Sequence, residues 1–263
     1  MAYTLLGSNI SYSLSPKIYG YFMNLYQIES SYSITDINLP SLNENFINNM
    51  VKNNIKGFNV TKPFKEVILK YLDELSDEVK FINAVNMVSI KNSKLIGYNT
   101  DYLGLLDSFL HYNLEIVNKK ILILGAGGAS KSLIYSLKNK NNSFSIINRN
   151  INNAINIKLL FNKENIQVIN TCSDINYDII FNATTLDVNS LISMYNIALN
   201  SKSIVYDLNY YYNNDDFKKY CNKLNVVFID GLFMLIYQAV HNFNIWFGIK
   251  PKINDTLINV LKS

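Results

Sequence analysis

The chain has 263 residues, 49% of them hydrophobic, enough for one large or two modest domains and too apolar for wholesale disorder. Ten glycines and four prolines exclude collagen-like and low-complexity classes, and two cysteines without metal-ligand spacing exclude a disulfide framework and fit a reducing compartment. The formal charge of +4 is spread over dispersed lysines, with Arg149 the single arginine, so no nucleic-acid partner is expected.

His111 and His241 stand far apart, which leaves little for a His-based zinc site or a Ser-His-Asp triad, and no metal is expected. No basic stretch leads into an apolar run, and nothing approaches the roughly 18 apolar residues of a membrane span. The expectation is a soluble cytoplasmic protein, monomer or homodimer. Asparagine takes much of the place of charge: there are 41, while charged residues make up 17%.

In chain order, residues 3–6 read as a strand, and Ser15-Pro16 as an N-cap followed by proline at the first helical position. A helix over 17–26 follows, with Tyr19, Phe22, Met23 and Tyr26 on one face. Next come a strand at 31–36, a helix at 43–53, a strand at 57–60 and a helix at 64–71. Residues 85–91 and 94–98 suit a hairpin, and a helical pattern runs from Thr100 to about Tyr112. A different rhythm starts at Lys119. Ile121-Leu122-Ile123-Leu124 has the composition of a fully buried strand. Helices at 129–138 and 153–161 alternate with strands at 144–148, 167–169, 178–182, 203–207 and 226–229. That alternation specifies a doubly wound parallel sheet of Rossmann type. The helical stretch 234–247 and the tail to residue 263 are too apolar for a free terminus, and are expected to pack back on the first domain. The reading is α/β: an N-terminal α/β domain over 1–101 completed by 237–263, and a nucleotide-binding domain over 102–236, with the active site in the cleft.

Gly125-Ala126-Gly127-Gly128 follows the buried strand and opens a helix. This is the context in which glycines let the chain turn tightly and let a pyrophosphate approach the helix N-terminus. The third glycine position holds Ser130. Glycine-rich strand-to-helix turns also occur without a nucleotide. Some 20 positions on, where an acid would bind a ribose 2′-hydroxyl, stand Asn148 and Arg149. A guanidinium offers a planar fork to a 2′-phosphate, which favours NADP, although a surface arginine after a strand would look the same.

Taken in order, these segments resemble the shikimate dehydrogenase family. Ser13-Leu14-Ser15-Pro16 is similar to its Ser-x-Ser-Pro motif, and Asn59-Val60-Thr61-Lys62-Pro63-Phe64-Lys65 to its Asn-Val-Thr-x-Pro-x-Lys signature. Ala84-Val85-Asn86 and Asn99-Thr100-Asp101 match two further motifs. Asp207 to Tyr210, Asp230-Gly231 and Gln238-Ala239 complete the set. The resemblance implies Lys65 and Asp101 as the catalytic pair. It implies substrate contacts at Ser13, Ser15, Asn59, Thr61, Asn86, Tyr210 and Gln238. Cofactor contacts are implied at Gly125, Ala126, Gly127, Gly128, Ala129, Asn148, Arg149, Thr184, Gly231 and Met234. The reaction implied is reversible reduction of 3-dehydroshikimate to shikimate with NADPH, in the chorismate route to aromatic amino acids. A quinate/shikimate dehydrogenase with relaxed NAD/NADP use and a homologue that lost catalysis are the rivals.

Elementary chemistry agrees with those roles. Reducing a ketone puts negative charge on its oxygen, so a nearby cation and proton source lower the barrier. Singly, each residue has an ordinary alternative: Ser15, Thr100 or Asp101 as helix caps, Lys65 on a solvated face, Asn86 in a turn, Tyr210 as packing, Gln238 as a surface amide. Cys172 and Cys221 read as small core residues. Five departures stand out. Asn150 and Asn153 replace a threonine and a basic residue common in the family. Leu186-Asp187 replaces a segment that carries glycine, and Phe233 puts a phenyl ring on the nicotinamide side. The loop after Tyr210 is also short.

Overall fold

The computed structural model describes residues 1–172, 176–210 and 215–262. The first sheet is built from β1 (Ala2–Gly7), β2 (Ser31–Asp36), β3 (Ile55–Val60), β4 (Glu74–Leu75), β5 (Met87–Lys91) and β6 (Lys94–Tyr98), in the order β2-β1-β3-β5-β6-β4. Its first three strands run parallel, and β5 and β6 form an antiparallel hairpin next to β3. The helices joining them are α1 (Ser15–Leu25), α2 (Glu44–Lys52), α3 (Phe64–Val67) and α4 (Asp77–Ile82). Asn43 caps α2 by accepting from the Phe46 N–H. The expected helix over 64–71 divides: four α-helical residues are followed by a 3-10 turn at Ile68–Tyr71.

The second sheet orders β12 (Val227–Asp230), β11 (Ile204–Asp207), β10 (Ile179–Asn182), β7 (Lys120–Leu124), β8 (Ser143–Ile147) and β9 (Asn165–Val168), every pairing parallel. Its crossover helices include α6 (Gly128–Ser136), α7 (Ile151–Leu160), α8 (Val188–Met194) and α9 (Asp215–Lys223). The central strands are buried on both faces, as a parallel sheet covered by helices requires. Cys172 and Cys221 sit in the core with Leu122, Ile180 and Val205, and burial pushes each thiol up to about 11.

Two helices bracket this sheet in sequence, α5 (Asp101–His111) and α10 (Leu232–Phe247), and α11 (Asp255–Lys262) ends the described chain. The chain divides into two compact units, one of Met1–Leu105 plus everything from Leu235 onward, the other of Leu106–Met234. Within the first unit, Phe243 meets the Phe22 ring edge-on at 5.5 Å, and Trp246 donates to the Val88 carbonyl at 3.2 Å. No helix among the described residues is long and apolar enough to cross a membrane.

The abundance of asparagine has a conformational use. Of the twelve described non-glycine residues with positive φ, ten are asparagine, among them Asn83 at the end of α4. Asparagine tolerates the left-handed region better than other side chains, so a chain poor in glycine turns corners with it.

Candidate active site

In the first unit, β3 runs out at Val60 and hands the chain to Thr61, whose backbone N–H donates to Leu6 O at 2.9 Å. One turn later α3 presents Lys65, and the start of α5 presents Asp101. The Lys65 ammonium and the Asp101 carboxylate form an ion pair through Oδ2, with Asp101 buried and the Lys65 side chain 19% exposed. The partial exposure decides its use, because the ammonium is neither sealed in the core nor free on a solvated face.

The other Asp101 oxygen, Oδ1, accepts from Asn86 Nδ2 at 2.7 Å, and the Asp101 backbone N–H is received by Asn99 Oδ1 at 3.1 Å. Asn99, not Asp101, therefore serves the amide at the head of α5. Asn86 is buried. Its backbone bonds to Tyr98 and Val60, and its carbonyl also accepts from Asn59 Nδ2 at 3.1 Å. Asn59 Oδ1 accepts from Tyr32 Oη at 2.7 Å, so this side chain braces Asn86 from behind. Gln238, on α10, accepts from Asn86 Nδ2 at 3.4 Å and donates to Leu235 O at 2.8 Å.

Ser15 does not cap α1 as the sequence suggests. The helix begins at Ser15 with Leu14 in the cap position and no side-chain cap, while the Ser15 N–H donates to Ser13 Oγ at 3.2 Å. The Ser13 hydroxyl donates to Ser15 Oγ, also at 3.2 Å, so the two hydroxyls face each other. In this unit the structure thus joins Lys65, Asp101, Asn86, Gln238 and Asn59 in one network and pairs Ser13 with Ser15. Three further members of the network carry no site role in the sequence reading: Tyr32, Asn242 and Tyr19, which that reading places only on a packed helix face.

In the second unit, β7 ends at Leu124 and Gly125 takes φ +107°, a conformation that side chains avoid. A Cβ there would also lie 3.0 Å from the Thr184 methyl. Gly127 caps α6 with no side-chain oxygen on the free amides, and a Cβ at Gly127 would meet nothing within 4 Å. Ser130 donates to Gly125 O at 2.9 Å, so the hydroxyl at the third glycine position ties helix to loop. Ala126 is buried, and Ala129 lies in the first turn of α6.

After β8, Asn148 Nδ2 donates to Asn150 O at 2.8 Å, and Asn150 caps α7 through Asn152 N–H. Arg149 is exposed between them, and no ion pair holds it among the described residues. Thr184 accepts from Leu186 N–H and donates to Asn182 Oδ1 at 2.8 Å, shaping the loop beside Gly125. Gly231 passes so close to Leu208 that a Cβ would sit 2.1 Å from its carbonyl oxygen, and Met234 is buried. Tyr210 lies half-buried beyond β11, and the short loop that follows it, 211–214, lies outside the described residues.

The comparisons with known proteins agree along the chain. Residues 5–88 match the "Shikimate dehydrogenase substrate binding domain" and residues 110–208 match "Shikimate / quinate 5-dehydrogenase". The shikimate dehydrogenase (NADP(+)) of Clostridium botulinum strain Hall is 37% identical over 249 residues, 92% of this chain and 95% of that one. The chain belongs to the shikimate dehydrogenase family. Its backbone superposes on the crystal structure of the Aquifex aeolicus shikimate dehydrogenase with a TM-score of 0.87 at 28% identity, covering 100% of this chain and 98% of that one. A shikimate dehydrogenase solved in complex with NADP+ gives 0.85 at 30% identity over 99% and 94%.

Two departures from the family pattern find local explanations. Asp187 caps α8, accepting from Ser190 N–H at 2.8 Å. The Phe233 ring stacks on His111 at 3.7 Å between centroids and meets Tyr112 edge-on at 5.7 Å. The ring that the family pattern sets on the nicotinamide side is engaged by two aromatic neighbours in its own unit.

Proposed function

We propose that the protein is an NADP-dependent shikimate dehydrogenase, reducing 3-dehydroshikimate to shikimate with Lys65 and Asp101 as its catalytic pair. The observation that carries the reading is the Lys65–Asp101 ion pair, with one partner buried and the other partly open. As the substrate's ketone is reduced, its oxygen gains negative charge and needs a proton. A lysine side chain is charged at neutral pH, so Lys65 can stabilise that oxygen and donate to it. Asp101 orients the ammonium, Lys65 regains from solvent the proton it gives to the substrate oxygen, and Asn86 fixes the rotation of the carboxylate. Ser13, Ser15, Thr61 and Gln238 supply the hydroxyl and amide groups that suit the carboxylate and hydroxyls of a polyhydroxy acid. The intact ion pair argues against a homologue that kept the fold and lost catalysis.

The residues of the second unit fit a dinucleotide. Open space lies where a Cβ at Gly127 would project, uncapped amides head α6, and no acid follows β8. Gly125, Ala126, Gly127, Gly128 and Ala129 would hold the pyrophosphate, Asn148 and Arg149 the 2′-phosphate end, and Thr184, Gly231 and Met234 the nicotinamide end. When bound, NADPH supplies the hydride.

Lys65→Ala is expected to lower kcat by roughly 100-fold or more, the size of a lost general acid and charge. NADPH affinity, measured by fluorescence titration of the same variant, should stay within about twofold. Turnover close to that of the unaltered protein would refute the assignment.

A further inference from the structure

Behind the ion pair lies a layer of polar side chains centred on Asn242, which the reaction itself does not touch. This residue is one turn beyond Gln238 on α10 and has no exposed surface. Its Nδ2 donates to Gln238 Oε1 at 2.8 Å and to Tyr19 Oη at 3.0 Å, and its Oδ1 accepts from Thr100 Oγ1 at 2.6 Å. Both amide hydrogens and the carbonyl are therefore used. Turning the amide over would set its carbonyl against that of Gln238, whose own amide is held in place by Leu235 O, so its polarity is fixed.

The direction of the next bonds follows. Thr100 has one hydroxyl hydrogen and two acceptors near it, Asn242 Oδ1 at 2.6 Å and Asn86 Oδ1 at 3.2 Å. Asn86 Oδ1 already receives the Thr100 backbone N–H at 2.8 Å, and the shorter contact takes the hydroxyl hydrogen. The Thr100 oxygen then accepts from Asn86 Nδ2 at 3.0 Å and Asp101 Oδ1 takes the second hydrogen of that amide, the Gln238 oxygen at 3.4 Å being the longest of its three contacts. Asp101 Oδ2 is left for Lys65.

We infer that Asn242 is a positioning residue. By receiving the Thr100 hydroxyl hydrogen, it fixes the amide of Asn86 and through it the rotation of the Asp101 carboxylate toward Lys65. The inference rests on the reading of Lys65 and Asp101 as the catalytic pair. Without the Asn242 carbonyl, the Thr100 hydrogen turns to Asn86 Oδ1, its lone pair leaves Asn86 Nδ2, and the carboxylate loses a fixed neighbour.

The test is steady-state kinetics on the full-length protein with Asn242→Leu, Thr100→Val, Thr100→Ser and the double variant Asn242→Leu/Thr100→Val. Asn242→Leu should lower kcat about tenfold, the order of one oriented hydrogen bond, with KM for NADPH unchanged within about twofold. Thr100→Val should reproduce that loss, and the double variant should lose no more than either single one, because all three interrupt the same chain. Thr100→Ser keeps a hydroxyl at the same place and should rescue most of the rate. Should Asn242→Leu not fold, the Thr100→Val and Thr100→Ser pair decides alone, since it asks whether the hydroxyl or merely the bulk matters. A folded Asn242→Leu with kcat within twofold, or losses that multiply in the double variant, overturns the relay. Normal turnover in Lys65→Ala would instead remove the catalytic pair itself, so the two failures are told apart.

Discussion

Arg149 carries the one guanidinium of a chain that otherwise uses lysine, and it stands exposed at the end of β8 with asparagine on either side. Asn148 spends one amide hydrogen and Asn150 its side-chain carbonyl on the turn itself, so the positive charge that a 2′-phosphate would meet there, beside Asn148, comes from the guanidinium. A charge-assisted bidentate contact contributes about 1.5–3 kcal/mol, or roughly 10- to 100-fold in affinity. Arg149→Ala should raise KM for NADPH by that factor and leave KM for NADH nearly unchanged, both read from initial rates. Equal rises with the two cofactors would mean that the phosphate is read elsewhere. At this scale the residues that ordered motifs singled out in sequence, Lys65, Asn86 and Asp101, are ones the structure brings together. It said nothing of Asn242, one asparagine among 41, whose partners come from α1 and the head of α5. The available signal was its spacing of four from Gln238, which sets two amides on one face of an otherwise apolar helix.

Strand β11 ends on Asp207, a fully buried carboxylate. Its Oδ1 accepts from Asn182 Nδ2 at 3.0 Å, Asn209 N at 3.0 Å and Asn209 Nδ2 at 2.8 Å, while Oδ2 is buried without a hydrogen-bond partner among the described residues. Burial outweighs these donors and pushes the carboxyl up from 3.8 to about 6. The folded protein then binds a proton that the unfolded chain has released across this interval, so this contribution to stability is full below about pH 4 and is lost as pH rises through 6. The loss is about 3 kcal/mol at 1.36 kcal/mol per pH unit. Asp207→Asn keeps the acceptor for all three donors and removes the charge. Urea titrations at pH 4.5 and 7.5 should show the unaltered protein losing more stability across that interval than the variant. An identical change in both would show that Asp207 is not the group responsible. Strongly apolar elements such as α10 and β7 were legible from sequence, whereas the mostly polar helix α9 was not read from it. Short ones were not: α4 has six residues and α8 seven, too few for a helical period to register. The stretch at 64–71 kept its apolar pattern, but only its first four residues are α-helical.

The apolar C-terminal segment gives the whole molecule its order, because the chain returns to the unit where it began. Hydrophobicity alone required a partner for this segment, and the rings of Tyr3, Tyr19 and Phe22 are that partner: Trp246 lies 4.7 Å from Tyr3 and 5.5 Å from Tyr19, and Phe243 packs on Phe22. Sequence could state that the tail must be covered but not by what, since pairing residues more than 200 positions apart leaves no local trace. Trp246 is the single tryptophan, so its fluorescence reports the first unit without engineering. Phe243 is fully buried, and replacing it with alanine removes a ring from a packed core, a change that costs about 3–5 kcal/mol. In urea, the Trp246 transition of Phe243→Ala should therefore move to a markedly lower midpoint at unchanged slope. A cost under about 1 kcal/mol would mean that the core collapses around the gap or that the segment adds little to the first unit. The same variant, below its shifted midpoint, should keep the Lys65–Asp101 pair and turn over normally, because the lost ring lies outside the hydrogen-bonded chain from Tyr19 to Asp101.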